Sequence, residues 1–519
     1  MLNKLTNYRK NERLIRRFFS NVNHSEPSKG RIMQFVGISS MYLTPVEILI
    51  NHLLRQRGYN VDYVVYDETV SIFETITKKT RNPEAAPKRT WKIGKRLLKA
   101  AKVPYTKISL CQEAEKLVDS IEDLDALLTY RYDNIELGEA VHGTLCRYYQ
   151  STKFDEDAER IARKMLITTL GNYLYMRKMC KKNNYKYIMF SHGINISWQP
   201  VADFCRREGK QFIVYDRGKT KDHANFNVNQ SSPDWSFDSA WERFRERQLS
   251  KMEKDKVAEY LKEREHQKND VYAYNFSGKR GGADEEKSRL GIPLERKCVT
   301  IFTNLIWDAA NVSRDIAFPS AFECVVETIK YFRERKDVQV VLRCHPAEMV
   351  LGTDERYSDK VREYFRGDLP CNVTLIEPED DVNSFSVIDI SDVGVVNTST
   401  VGLEIAMLGK PSIIISETHY RKKGFTVDVE DERSYFSEIE SALKRPCIPI
   451  GKQELAKKYF YMMMFLYQKK MPVSHDGLAF KGYSCNNFKD LKSEDQLVKI
   501  INTLSGVLPS NFISWDEDD

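Results

Sequence analysis

Val393-Gly394-Val395-Val396-Asn397-Thr398-Ser399-Thr400-Val401-Gly402-Leu403-Glu404-Ile405-Ala406-Met407-Leu408-Gly409-Lys410-Pro411 decides the fold class of this chain. A short apolar run ends in a hydroxyl-rich turn, and helical spacing then runs from Val401 to a stop at Gly409. A buried strand feeding a helix in this way belongs in a parallel sheet covered by helices. The free backbone N–H groups at such a helix start, with the positive end of its dipole, favour an anion. Ser399 and Thr400 add hydroxyl donors, and Gly402 is expected to let a ligand approach the backbone. An ordinary N-cap also explains Ser399 or Thr400. It does not explain Glu404, because the capping-box partner of Thr400 would be position 403, which is Leu403. A carboxylate at Glu404, on the helix face below the cap, can accept both ribose hydroxyls of a nucleotide.

Working outward, the same alternation surrounds this stretch. Cys298–Phe302, Val338–Leu342, Val373–Ile376 and Ser412–Ile415 read as strands, Ser320–Arg333 as a helix, and Ser384–Ile390 as a helix or turn. Residues 292–450 therefore form one doubly wound domain. Residues 276–291 are polar and glycine-rich, which suits a linker. Upstream, Arg31–Ile38 and Val61–Tyr66 read as strands around a helix at Pro45–Arg57 stopped by Gly58. Tyr187–Phe190 and Gln211–Tyr215 read as strands around a helix at Val201–Arg207. Between these pairs, about 70–182 reads as a mainly helical, basic insertion. Residues 1–275 thus form a second Rossmann-like domain, and 451–519 is expected to be helical with an acidic tail. The expected fold is α/β: two doubly wound domains facing a central cleft, with helical additions. In such sheets ligands bind outside the carboxyl ends of the strands, and domain interfaces favour pockets.

Strand ends supply the candidate chemistry. Arg343-Cys344-His345-Pro346-Ala347-Glu348 follows a buried strand, and Arg343 and His345 offer donors to a leaving phosphate whose charge grows as a glycosidic bond breaks. Glu348 closes that segment. Thr303-Asn304-Leu305-Ile306-Trp307-Asp308 suits a loop on the pyrophosphate side, with Asn304 and Asp308 as polar candidates; Trp307 fits core packing equally well. Asn397 and Thr398 complete the donor side. In the first half, His192 and Asp216 each follow a strand, and Glu47 sits near a helix start. Any of the three is a candidate general base toward an acceptor hydroxyl.

Bulk properties narrow the function classes. The 519 residues are 41% hydrophobic and 30% charged, which suits a globular chain of two large domains. No run reaches the roughly 18 to 20 apolar residues of a membrane span, and Met1–Ser20 lacks a secretory pattern. The ten cysteines stand singly, as reduced cytoplasmic thiols do. The net charge of +6 is uneven: residues 78–102 hold ten Lys and Arg against Glu84 alone, and residues 1–31 are also basic. Both segments suit a solvated face, or peripheral contact with an anionic surface at the inner face of a cell membrane. No nucleic-acid motif accompanies them. There is no zinc spacing, so no metal is expected. The absence of a G-x-x-x-x-G-K-[ST] or G-x-G-x-x-G loop argues against kinases and dehydrogenases, and no G-x-S-x-G elbow supports a hydrolase. No other cofactor is expected.

Arg343-Cys344-His345-Pro346, followed by Asp392–Glu404 and Gly409-Lys410-Pro411, resembles the donor-binding domain of bacterial capsular polysaccharide synthesis proteins. That GT-B group includes Kdo transferases and bacterial sialyltransferases. The resemblance covers about Lys297–Ser416. It implies that His345 contacts the donor phosphate, that Ser399 and Thr400 bind phosphate, and that Glu404 binds ribose. It further implies a nucleotide-sugar donor, with CMP favoured, and an oligosaccharide, polysaccharide or glycolipid acceptor. Retaining UDP- and GDP-sugar enzymes carry paired glutamates eight positions apart. Here the flanking positions are Val396 and Ser412, which lowers a UDP or GDP donor without excluding it. A nucleotide-sugar epimerase, a CDP-polyol phosphotransferase and an inactive GT-B scaffold are the alternative readings.

Overall fold

Arg31–Gly37 (β1) is apolar on both faces because both faces are covered. Met33 and Phe35 enter one core with Val64 and Tyr66, while Ile32 and Val36 enter another with Val61, Tyr63 and Val65. Alternate residues of one strand thus feed opposite layers, the pattern of a sheet clad in helices on both sides. The computed structural model describes residues 2–38, 43–234, 236–265, 280–476, 479–491 and 500. They divide into two units: Met1–Tyr149 with Phe154–Trp235 and Phe465–Asp519, and Gln150–Lys153 with Ser236–Met464.

In the first unit, β1 pairs in parallel with Asn60–Tyr66 (β2), which pairs with Thr106–Ile108 (β3). A two-residue ribbon follows, Arg131–Tyr132 (β4) with Ile135–Glu136 (β5). Tyr185–Ser191 (β6) lies parallel on the other side of β1, and Phe212–Arg217 (β7) lies parallel to β6. His223–Val228 (β8) turns back antiparallel to β7. The second unit is built on Lys297–Phe302 (β9), Val338–Arg343 (β10), Val373–Ile376 (β11), Val393–Val396 (β12), Ser412–Ile414 (β13) and Val427–Asp428 (β14). All five pairings are parallel, and the order is β11-β10-β9-β12-β13-β14. Read from its first strand, that is the 3-2-1-4-5-6 order of a Rossmann sheet. The first sheet repeats it as β3-β2-β1-β6-β7-β8 and adds Lys469–Lys470 (β15) beyond β8. The chain has a two-Rossmann-domain, GT-B-like architecture.

The elements differ from the sequence reading in four places. The insertion is helical at Ala86–Ala101, Gln112–Asp119, Leu137–Tyr149 and Ala158–Lys182, but it also holds β3, which exposes most of its short length and so shows no apolar run. The linker at 276–291 contains a helix at Ala283–Arg289, preceded by an Arg280–Asp389 pair at 2.7 Å; residues 276–279 lie outside the described residues. The helix expected after 451 is Ile450–Tyr461. Beyond it the chain rejoins the first unit as β15 and then as the hairpin Val473–Asp476 (β16) with Ala479–Tyr483 (β17), whose Val473 and Phe480 enter that unit's core. The acidic tail lies outside the described residues. Finally, β8 was not expected, because its buried positions include Asn225 and Asn227. Asn227 Oδ1 accepts from Tyr467 Oη at 2.8 Å, which offsets part of the cost of burying that amide, while its Nδ2 has no partner among the described residues. No helix among the described residues is long and apolar enough to cross a membrane.

Candidate functional site

In the second sheet the strand order reverses between β9 and β12, so their connections leave to opposite sides and open a crevice at the carboxyl edge. Asn304 follows β9, and Asn397 and Thr398 follow β12. Asn304 Nδ2 donates to Thr398 Oγ1 at 2.7 Å, and Thr398 Oγ1 donates to Asn311 Oδ1 at 2.6 Å. Asn311 Nδ2 in turn donates to the Leu305 carbonyl at 3.2 Å. The chain of bonds fixes both loops and the direction of every donor. It leaves the Asn304 and Asn397 side-chain oxygens buried without a donor among the described residues. A buried amide oxygen needs a donor, which an incoming hydroxyl or N–H can supply.

On the helix that follows β12, Glu404 meets Arg264 of helix Lys251–Glu265, with Nε donating to Oε1 at 3.2 Å. Both side chains are largely removed from water, at 19% and 10% exposure, so the pair is held in a weakly screened place. His345, half-buried, accepts the Ala347 N–H on Nδ1 at 3.0 Å, which puts its proton on Nε2. Its own N–H donates to Thr303 Oγ1 at 3.1 Å. Burial first, then the cations of Arg343 and Arg264, lower its pKa to about 4. The ring is therefore a neutral Nε2–H donor at neutral pH. Among the described residues, no group of three or more His, Cys, Asp or Glu is arranged to hold a metal ion.

Other donor-side candidates have structural occupations. The buried Arg343 donates through Nη1 to the Glu377 carbonyl at 2.9 Å and through Nη2 to the Val382 carbonyl at 3.2 Å, so it ties down the loop after β11. Glu348 is fully buried; Oε1 accepts the Tyr357 N–H at 3.4 Å, Oε2 has no partner, and burial pushes its pKa up to about 8. Asp308 caps the turn Ala309–Asn311 by accepting the Ala310 N–H at 3.1 Å. Trp307 is core, with Nε1 donating to Thr353 Oγ1 at 3.0 Å. Thr400 makes no side-chain cap bond to helix Val401–Met407. Ser399 Oγ accepts the Val401 N–H at 3.4 Å, and the Ser399 carbonyl accepts the Tyr420 hydroxyl. Gly402 was expected to admit a ligand. Instead a Cβ there would lie 2.5 Å from Tyr420 Oη and 3.1 Å from Ser412 Oγ, so interior packing requires the glycine.

The first sheet reverses between β1 and β6, and His192 follows β6 directly. Two of the three candidate bases meet there. His192 Nε2 lies 2.9 Å from Asp216 Oδ1 at the end of β7. His192 Nδ1 faces the Ser191 hydroxyl, and the ring stacks on Trp198 with centroids 5.2 Å apart. His192 sits at φ +49°, a left-handed conformation costly for a residue with a Cβ, which these contacts hold in place. Burial raises the Asp216 pKa, but the facing His192 and Arg217 outweigh it and keep the carboxylate below its usual range. Glu47, the third candidate, is separate. It is 2% exposed, with Oε1 accepting from Tyr215 Oη at 2.8 Å, Oε2 unpartnered, and a pKa that burial raises to about 8.

No protein-family model matches the chain, and no curated protein matches it. Solved structures similar to it include the Thermosulfurimonas dismutans KpsC beta-Kdo 2,4-transferase, at 14% identity over 62% of this chain and 88% of that one, with a TM-score of 0.35. The Methanocaldococcus jannaschii UDP-GlcNAc 2-epimerase in complex with UDP-GlcNAc and UDP is 10% identical over 83% and 98%, with a TM-score of 0.29. Acinetobacter baumannii MurG is 11% identical over 84% and 99%, with a TM-score of 0.25. At these identities and scores no residue role passes from those proteins to this chain.

Three functional candidates escaped the sequence reading. Arg264 lay in a highly charged helix where nothing distinguished it from its neighbours. Asn311 followed Trp307 and Asp308 without a motif. Glu74, buried in the first unit, accepts from the Ser197 hydroxyl and lies near His192; burial raises its pKa against that hydrogen bond. Its surroundings, Phe73 and Ile72, read as ordinary core.

Proposed function

We propose that the chain transfers a sugar from a nucleotide-activated donor, CMP-linked in the first instance and UDP- or GDP-linked in the second, to a hydroxyl of a surface glycan. The observation that carries this reading is the largely buried Arg264–Glu404 pair on the helix that follows β12, in the unit where Asn304 and Asn397, just past β9 and β12 at the switch point, hold amide oxygens in need of a donor. Glu404 accepts the ribose hydroxyls. Arg264 and the Nε2–H of His345 meet the negative charge that grows on the phosphate as its bond to the anomeric carbon breaks. Asn304 and Asn397 accept from sugar or base donors.

For the acceptor, the first unit offers His192. Asp216 holds the Nε2 side of the ring, so the base is Nδ1, which becomes available when the Ser191 hydroxyl rotates away. The acceptor proton moves to Nδ1, the acceptor oxygen bonds to the anomeric carbon, and the nucleotide leaves with the electron pair. Asp216 then stabilises the imidazolium. Calorimetry with CMP, UDP and GDP tests the donor site, and binding of none of them refutes the proposal. Incubation of donor alone tests the chemistry: a new sugar isomer without acceptor assigns the site to epimerisation.

A further inference from the structure

Two basic segments that are remote in sequence pack together in the first unit. Helix Leu2–Phe18 contacts helix Ala86–Ala101, and Lys102 Nζ donates to the Ser20 carbonyl at 2.8 Å. Their apolar sides enter one core, Ile15, Phe18 and Phe19 from the first and Trp91, Leu97 and Leu98 from the second. The opposite sides face water and are cationic. Lys88, Arg89, Lys92, Lys95, Arg96 and Lys99 are all exposed on the second helix, which contains no acid. Arg9, Lys10, Arg13, Arg16 and Arg17 are exposed on the first, where Glu12 pairs with Arg16 at 2.7 Å.

The six cations of the second helix are uncompensated: among the described residues none of them forms an ion pair, and only Lys95 has a recorded side-chain partner, the Trp91 ring at 5.9 Å. Holding this many like charges together costs self-repulsion. Protein solubility does not require such a concentration, so the arrangement points to an anionic partner. The shape of the face selects among partners. Ile15 and Phe18 of the first helix and Trp91, Leu97 and Leu98 of the second are committed to the core, so the cations stand on the outer sides of the helices, and the second helix presents them over about 24 Å at 1.5 Å per residue. Cations on the outer sides of helices meet a surface wider than themselves, whereas a flexible polyanion is held in a groove. We infer that the two-helix face docks the protein on an anionic lipid bilayer, its cations lying at headgroup depth. Clusters of four to eight Lys or Arg on one helix face are the usual scale of such recognition. The inference is independent of the nucleotide site in the other unit.

The test is co-sedimentation of the full chain with phosphatidylcholine vesicles and with vesicles in which a third of the lipid is phosphatidylglycerol. The expected result is binding to the anionic vesicles alone, lost as salt is raised to about 0.5 M. Lys88→Glu/Lys92→Glu/Arg96→Glu, with an unchanged melting temperature, is expected to weaken that binding by at least about tenfold. If charge reversal prevents folding, the same three positions changed to Gln serve, with a smaller loss in the same direction. Equal binding to neutral vesicles, undiminished binding by a folded variant, or retention on soluble heparin without vesicle binding would each overturn the inference. The last result would assign the face to an anionic polymer.

Discussion

Glu47→Gln separates a structural acid from a catalytic one and has a calculable signature. In the folded chain burial lifts the Glu47 pKa from 4.5 to about 8, against the opposing hydrogen bond from Tyr215. The folded state therefore keeps a proton that the unfolded chain releases above the ordinary value. Stability from this group is complete at low pH and is lost as pH rises toward the folded value. Between the two values the loss approaches about 1.4 kcal/mol per pH unit, summing to about 4 kcal/mol from pH 5 to pH 9. Glutamine keeps the acceptor facing Tyr215 and nearly the same volume, but has no proton to lose. Other raised acids, such as Glu74, are present in both proteins and cancel in the comparison. Urea unfolding of the full chain at pH 5, 7 and 9, followed by tryptophan fluorescence, should show the variant gaining on the wild type as pH rises, with turnover unchanged. Parallel pH curves would mean that Glu47 is ionised in the fold. A hundredfold loss of turnover in a folded variant would restore Glu47 as the base.

Three further outcomes follow from the sites. Arg264→Gln removes the cation opposite Glu404 and should weaken nucleotide binding about tenfold to a hundredfold by calorimetry, the range of one charge-assisted hydrogen bond; unchanged affinity would take Arg264 out of the donor site. His192→Gln and Asp216→Asn should each lower the transfer rate at least about a hundredfold while leaving nucleotide affinity within twofold, because they act on the acceptor proton alone; a parallel loss of affinity would contradict that division. Gly402→Ala should cost about 1–3 kcal/mol in chemical unfolding, since its methyl meets the Tyr420 hydroxyl, and Tyr420→Phe in the same chain should recover part of the loss.

The second sheet was legible because its strands are short, apolar and buried on both faces, and because Gly409 and the hydroxyl-rich turn punctuate them clearly. Expected and observed strands agree within a residue or two at Lys297–Phe302, Val338–Arg343, Val373–Ile376 and Val393–Val396. Reading failed where burial and apolarity part company. β8 buries two asparagines, and β3 buries almost nothing. At β15 the chain returns to a sheet whose other strands lie more than two hundred residues upstream, through lysines that carry no strand signal. Such pairing is decided by the partner edge, which a local window does not contain.

The site divides along the same line. Position at a strand's carboxyl end follows from periodicity, and it located Asn304, His345, Asn397, Thr398, His192 and Asp216. What a side chain does there depends on partners from other elements. Arg343 and His345 are two residues apart at the same strand end, yet the arginine turns inward to the Glu377 and Val382 carbonyls while the histidine is fixed as a neutral donor by Ala347. Glu404 shows the converse. Its position below the turn made it a ribose acceptor by elimination, but the cation that faces it comes from a helix 140 residues earlier. That pairing supplies the charge logic of the proposed donor site. A carboxylate left alone beside a phosphate would repel it, and a carboxylate paired with Arg264 keeps the edge close to neutral until the phosphate arrives.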